Sequence, residues 1–185
     1  MSRRIVAFGL LMFCGCVFIP ASKRALIDLK NRTAIPAASD YDSRVTLTAL
    51  LHPGDDRARW SSTRAGTVEG HVVAVRSAGI ESANRFSLTR RDTHVEVADR
   101  LDAKPRERVV LEVTPPMRDW ARGRGLDWST AALQRDVVGQ FCRFDGWLLF
   151  DIEHADESEN TNPGDPDNWR ATAWELHPIT SITCR

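Results

Sequence analysis

The passage that decides the architecture is Ser129-Thr130-Ala131-Ala132-Leu133-Gln134-Arg135-Asp136-Val137-Val138-Gly139. A serine before a helix can accept from its first free N–H groups, and a glycine after it can take the left-handed conformation that ends it. Ala131, Ala132, Leu133 and Val137 form the apolar stripe between these signals, so the spacing predicts a helix over Thr130–Val138. Three strand regions precede it. Thr67–Val75 is rich in β-branched residues, and Arg108–Thr114 is stopped by Pro115-Pro116. Between them, Thr93-His94-Val95-Glu96-Val97 alternates, with Asp92, His94 and Glu96 on the face opposite Thr93, Val95 and Val97. Arg85–Leu88 offers a further short strand, and Asp119–Arg122 a helical turn.

Strands resume with Phe141–Phe150, followed by a long polar loop over Asp151–Asn168. Arg170–Leu176 and Ile179–Cys184 finish the chain, with Pro178 interrupting them. Three strands, a helix and two more strands fit an all-β domain with one helix, the five-stranded Greek-key barrel known as the OB-fold. A small β-sandwich is the alternative. The barrel domain is expected over residues 66–185. Residues 22–65 read as an extension or linker, broken by Pro36, a Ser/Asp cluster and Pro53-Gly54-Asp55-Asp56, with one apolar patch at Val45–Leu51.

Residues 1–21 have the shape of a secretory signal. Arg3 and Arg4 precede the uncharged apolar run Ile5–Ile19, and Pro20-Ala21-Ser22 follows. The run is shorter than the roughly 20 residues of a typical membrane-spanning helix. Lys23 and Arg24 keep an uncleaved anchor in play, and Cys16 raises a lipid-modified cysteine. Membrane contact is expected through residues 1–21 alone, with the rest exported to the periplasm or cell envelope.

The whole chain carries 25 basic and 25 acidic residues. Removing residues 1–21 takes away Arg3 and Arg4 and no acid, leaving 23 against 25, a net charge of −2. Generic phosphate gripping needs a basic excess, so nucleic-acid binding of that kind is disfavoured. Cys142 and Cys184 then remain as a disulfide candidate in an oxidising compartment, or as two separate buried thiols.

Three clusters carry the candidate chemistry: Asp92, His94 and Glu96 with Glu112; Asp151 running into His154; and Trp169, Arg170, Glu175 and His177. His94 and Glu96 are two residues apart, as are Glu175 and His177, so each pair shares one face of its strand. Converging faces would bring two imidazoles and two carboxylates together, with His154 and Glu112 in reach. The metal set expected from this is His94, His154, Glu175 and His177, holding zinc or another divalent ion. The opposing interpretation makes these residues the wet side of ordinary strands, paired in salt bridges. Trp147 and Trp174 are expected to fill the barrel, and Trp169 to offer an exposed stacking platform. Asp156, Glu157, Glu159, Asp165 and Asp167 make the loop acidic without the regular spacing of a calcium loop. No nucleophile elbow, phosphate loop, dinucleotide fingerprint or paired Cys-x-x-Cys occurs.

The motifs Asp92-Thr93-His94-Val95-Glu96, Glu112-Val113-Thr114-Pro115, Gly146-Trp147-Leu148-Leu149-Phe150-Asp151 and Trp169-Arg170-Ala171-Thr172-Ala173-Trp174-Glu175-Leu176-His177-Pro178 resemble a group of small, exported, uncharacterised bacterial proteins. The resemblance covers roughly residues 66–184. It implies an envelope or secreted setting and no mechanism. Three functions follow as expectations: an exported OB-like binding or accessory module of unknown ligand, a nuclease-like metal-dependent hydrolase using the His/Glu cluster, or a structural envelope protein. The sequence names no partner and no oligomeric state.

Overall fold

The structure, a computed structural model, describes residues 20–81 and 83–185. The apolar run assigned to a signal or anchor lies outside the described residues, up to residue 19. Among the described residues, no helix is long and apolar enough to cross a membrane. The strands are β1 (Ala65–Ser77), β2 (Thr93–Ala98), β3 (Val109–Val113), β4 (Phe141–Phe150) and β5 (Trp174–Cys184). The helices are α1 (Ala21–Lys30), α2 (Leu47–Leu51), α3 (Pro115–Arg122) and α4 (Thr130–Asp136).

The five strands close in the order β1-β2-β3-β5-β4. All neighbours are antiparallel except β3 and β5, which run parallel. This is a closed mixed barrel, so the sandwich alternative is set aside: a ring leaves no second sheet to stack. Closure depends on β1, which pairs through Ala65–His71 with β4 and through His71–Ser77 with β2. A register shift between Val72 and Ala74 bends the strand between its two partners. Gly70 is required beside it, because an added Cβ would lie 2.6 Å from Leu47 and 2.8 Å from the Ala98 carbonyl oxygen.

Alternate residues fill the barrel. Val95 and Val97, Val109, Leu111 and Val113, and Trp174 and Leu176 share one apolar core. Met117 and Ala121 of α3 and Leu133 of α4 join it. Ser129 caps α4 by accepting from the Ala132 N–H at 3.2 Å, and Gly139 follows with φ +84°. Thr114 caps α3 in the same way, and Pro115 and Pro116 occupy its first turn. The prolines that end β3 thus also begin a helix, where their missing N–H groups cost nothing.

Several expectations change here. Among the described residues four α-helices are present: α4 where a helix was expected, α3 over the turn expected at Asp119–Arg122, and α1 and α2 in the segment expected as an extension. Arg85–Leu88 is not a strand: Arg85 and Phe86 turn the chain at φ +53° and +54°. Pro178 does not interrupt β5, which runs through a cis His177–Pro178 bond. Trp147 does not fill the barrel. Its ring lies outside, under the Arg32 guanidinium at 5.1 Å, and its indole N–H donates to the Ala34 carbonyl. The segment expected as an extension is packed against the barrel, since Val45, Leu47 and Leu50 belong to the core and Lys30 is buried. A short polar segment can do this because its few apolar side chains recur on one side of α2 and the loop before it.

Cys142 and Cys184 are direct cross-strand partners on β4 and β5, joined as a disulfide with their Cα atoms 4.0 Å apart. The bond closes a loop with 42 residues of sequence separation, for which chain entropy predicts about 3–4 kcal/mol of stabilisation. Intact mass should rise by two hydrogens on reduction. The double variant Cys142→Ala/Cys184→Ala should lose stability of that order in urea denaturation, and an unchanged midpoint would reject the bond's contribution.

Candidate functional site

Period-2 alternation places a second set of side chains on the outside of the barrel wall. With Val95, Val97, Leu111, Trp174 and Leu176 inward, His94, Glu96, Glu112, Glu175 and His177 must point outward. Antiparallel register sets His94 opposite Glu112, and the parallel pair Leu111–Leu176 sets Glu112 beside Glu175 and His177. Asp92, just before β2, continues the His94 face. An outer face would ordinarily be wet. Here Asp92, His94, Glu96, Glu112, Glu175 and His177 are all buried.

The cover comes from three pieces of chain. The C-terminal end of α1 brings Lys30, which donates to Glu81 at 3.0 Å and to Asp151 at 3.2 Å. The β1–β2 connection brings Glu81, and the stretch after β4 brings Asp151, His154, Trp169 and Arg170. Trp169 stacks on the His94 ring, with centroids 5.9 Å apart and planes 7° from parallel. Arg76 and Arg170 lie 4.9 and 5.3 Å from the same indole, and His154 meets its edge. Trp169 is therefore a half-buried lid over His94 rather than an exposed platform.

Most of the buried charges are paired. Arg170 donates to Glu175 at 2.7 Å, with both side chains fully buried. Glu175 in turn accepts from Nδ1 of His177 at 3.0 Å. Glu96 is held between Arg76 at 2.7 Å and Arg108 at 2.8 Å. Nδ1 of His154 lies 2.9 Å from Asp151.

One group of atoms lacks aligned hydrogen bonds, although Oε2 of Glu112 lies 3.3 Å from Nδ1 of His177. Oδ1 of Asp92, Oε2 of Glu112 and Nε2 of His177 are buried and have no hydrogen-bond partner among the described residues. His94 approaches Oε1 of Glu112 at 2.9 Å, but neither of its ring nitrogens has an aligned partner. Two sets of ligand-capable side chains result: Asp92, Glu112 and His177, all buried, and Glu81, His94 and Glu112. In each set the donor atoms lie within 4.8 Å of one another. Leaving such atoms unsatisfied costs about 1–3 kcal/mol each, more when charged.

The electrostatics match this concentration of carboxylates. Burial and the facing Glu112 push Asp92 up to about 7. Burial alone would lower His177, but Glu112 and Glu175 outweigh it and raise it to about 9. Burial would raise Glu112, yet His177 and His94 hold it below the usual carboxylate range. Burial opposes the charge on Lys30, and Asp151, Glu175 and Glu81 more than restore it.

Of the residues expected from sequence, Asp92, His94, Glu112, Glu175 and His177 come together on the barrel wall. Asp151, His154, Trp169 and Arg170 form its cover. Glu96 sits in the same row and is committed to arginines. The metal set changes in composition. Glu175 orients His177 and meets Arg170, and His154 is turned onto Asp151, so neither belongs to a ligand-capable group; Asp92 and Glu112 do. Sequence reasoning missed Lys30 and Glu81, both on segments without periodicity. Glu159 and Asp165 of the acidic loop hold Gly164, Asn168, Asn162 and Asp167 instead of converging on a cation.

Two outcomes follow. Arg170→Met strands the Glu175 carboxylate in a dry setting and should cost about 3–5 kcal/mol in urea denaturation; a loss below about 1 kcal/mol would show that Glu175 is not dependent on Arg170. His154 titrates above its ordinary 6.5, mainly through its hydrogen bond to Asp151 and against its burial, with Glu157 at 3.9 Å and Arg170 and Glu175 nearby. The sign is that of a raised folded value: its stabilisation is complete below 6.5 and lost as pH rises through the raised value. In an NMR titration Asp151→Asn should move the His154 midpoint down, and an unmoved midpoint would refute the pairing.

Comparison with protein-family models, curated proteins and solved structures finds no match, so the function of this cluster is judged on its own geometry.

Proposed function

We propose that the protein is an exported, OB-like barrel that binds a divalent metal ion on the outer face of β2, β3 and β5, with Asp92, Glu112 and His177 as its ligands. The observation that carries this is the meeting of Asp92, Glu112 and His177, three buried side chains with ligand-capable atoms within 4.8 Å of one another, in which Oδ1 of Asp92, Oε2 of Glu112 and Nε2 of His177 are buried without a hydrogen-bond partner among the described residues. The His177 ring is prepared for the role. Its Nδ1 faces Glu175, which Arg170 holds, so Nε2 is the nitrogen left open to a ligand, its proton leaving when a metal binds. A carboxylate behind a histidine in this way fixes the tautomer and ring direction of metal ligands. Two carboxylates and one imidazole suit Mn²⁺, Fe²⁺ or Zn²⁺ better than the all-oxygen shells of Ca²⁺.

The OB-like assignment is supported by the strand order, the parallel β3–β5 pair, and helices between the third and fourth strands. Export is supported by the basic start and apolar run of residues 1–21 and by the Cys142–Cys184 pair, which suits an oxidising compartment. A metal-dependent hydrolase is the second reading. It is favoured by the Glu81 edge of the cluster, where the side chain keeps 13% of its surface exposed and a substrate could approach.

The test is metal content of the full-length protein by mass spectrometry. At least one tightly held ion per chain is expected. Asp92→Asn, Glu112→Gln and His177→Ala should each remove it with the circular dichroism spectrum kept, whereas Glu96→Gln should retain it. Unchanged metal in all three ligand variants, or a wild type that takes up neither Mn²⁺ nor Zn²⁺, would overturn the proposal.

A further inference from the structure

We infer that the cluster holds a second divalent cation, at Glu81, His94 and Glu112, with the Glu112 carboxylate shared between two ions. This rests on the assignment of Asp92, Glu112 and His177 as the first site. The two ligand-capable sets have one member in common, Glu112, and are otherwise independent. The two oxygens of that carboxylate face different ways. Oε1 lies 2.9 Å from Nε2 of His94, while Oε2 lies 3.3 Å from Nδ1 of His177 and has no hydrogen-bond partner. A carboxylate so divided can bridge cations about 3.5–4 Å apart, the usual spacing of paired metal sites.

Charge leads to the same arrangement. Glu81 and Asp92 each lie near Glu112, one in each of the two sets that share it. Lys30 is shared among Glu81, Asp151 and Glu153, and Arg170 faces Glu175, so neither permanent cation pairs with Asp92 or Glu112. Asp92 and Glu112 are therefore left to the two imidazoles or to bound cations, in a setting where burial makes uncompensated charge expensive. Glu81 meets Lys30 through Oε2, and Lys30 keeps Asp151 as its second partner. His94 has both ring nitrogens buried without an aligned partner, which an ion on Nε2 would satisfy.

The two positions differ in access. Asp92, Glu112 and His177 are all buried, so the first ion is enclosed. Glu81 lies at the edge of the cover and is only partly buried, so the second ion exchanges with solvent. The structure thus assigns a tight, slowly exchanging position and a weaker, faster one joined by a single carboxylate.

The experiment is a titration of chelator-stripped, full-length protein with Mn²⁺ alone, read by equilibrium dialysis and electron paramagnetic resonance. Two Mn²⁺ per chain should bind in separate affinity classes. The second should replace the isolated-ion hyperfine pattern with a spin-coupled spectrum. Glu81→Gln and His94→Ala should each reduce binding to one ion and restore the isolated pattern; Glu81→Gln, at the solvent edge, serves if the buried His94 variant fails to fold. One ion in the wild type, or two that are uncoupled and indifferent to Glu81 and His94, would overturn the second position while leaving the first intact. No bound ion at all would overturn both.

Discussion

The parallel pairing of β3 with β5 is the constraint on which the rest of the molecule depends. It closes a ring that antiparallel neighbours alone would leave open, because β4 and β1 are already joined on the other side. The same pairing fixes which residues meet across the wall. With Leu111 and Leu176 in register, both point into the core and their neighbours point out, so Glu112 stands beside Glu175 and His177. A slip of one residue would reverse the faces, burying carboxylates in the barrel and exposing Leu111, Trp174 and Leu176. The hydrophobic core therefore dictates the geometry of the ionic cluster outside it.

That outer cluster is stable only because it is covered and mutually satisfied. Ions removed from water need partners, and a buried pair gains little over an apolar one of equal volume. A chain selected for stability alone would have little reason to keep Arg170, Glu175, His177, Glu112 and Asp92 under a lid. Their retention in one row, with a few donors unmatched, is what gives the metal proposal its weight. The lid is tied down at its edges: Arg32 donates to the carbonyls of Leu148 and His177, and Asn31 to that of Ala83. The end of α1 thus bridges β4, β5 and the β1–β2 connection, and the site is built from both sides at once.

Much of this was legible residue by residue. The alternation of Thr93–Val97 reveals a half-apolar strand because side-chain direction is a local property of extended backbone. Ser129 and Gly139 mark α4 because capping is local too. The same logic picked out His94, Glu112, Glu175 and His177 as outward residues worth watching. Where local rules conflict, they misled. Pro115-Pro116 reads equally as a strand stop and a helix start, and Arg85–Leu88, expected as a short strand, turns because two residues adopt positive φ. Trp147 looked like core by its apolar neighbours, but its place in the alternation points it outward to Arg32 and Ala34.

The sequence by itself determined the succession of strands and helix along the barrel segment, the position of α4 and the polar identity of one face of β2, β3 and β5. Each follows from periodicity, caps and breakers acting over a few residues. Only the tertiary structure decided that this polar face is dry, that Lys30 and Glu81 complete it, that His154 turns to Asp151, and that Asp92 joins Glu112 and His177. These are contacts between residues far apart in the chain. They depend on strand register and on where a covering segment lands, and no local preference encodes either.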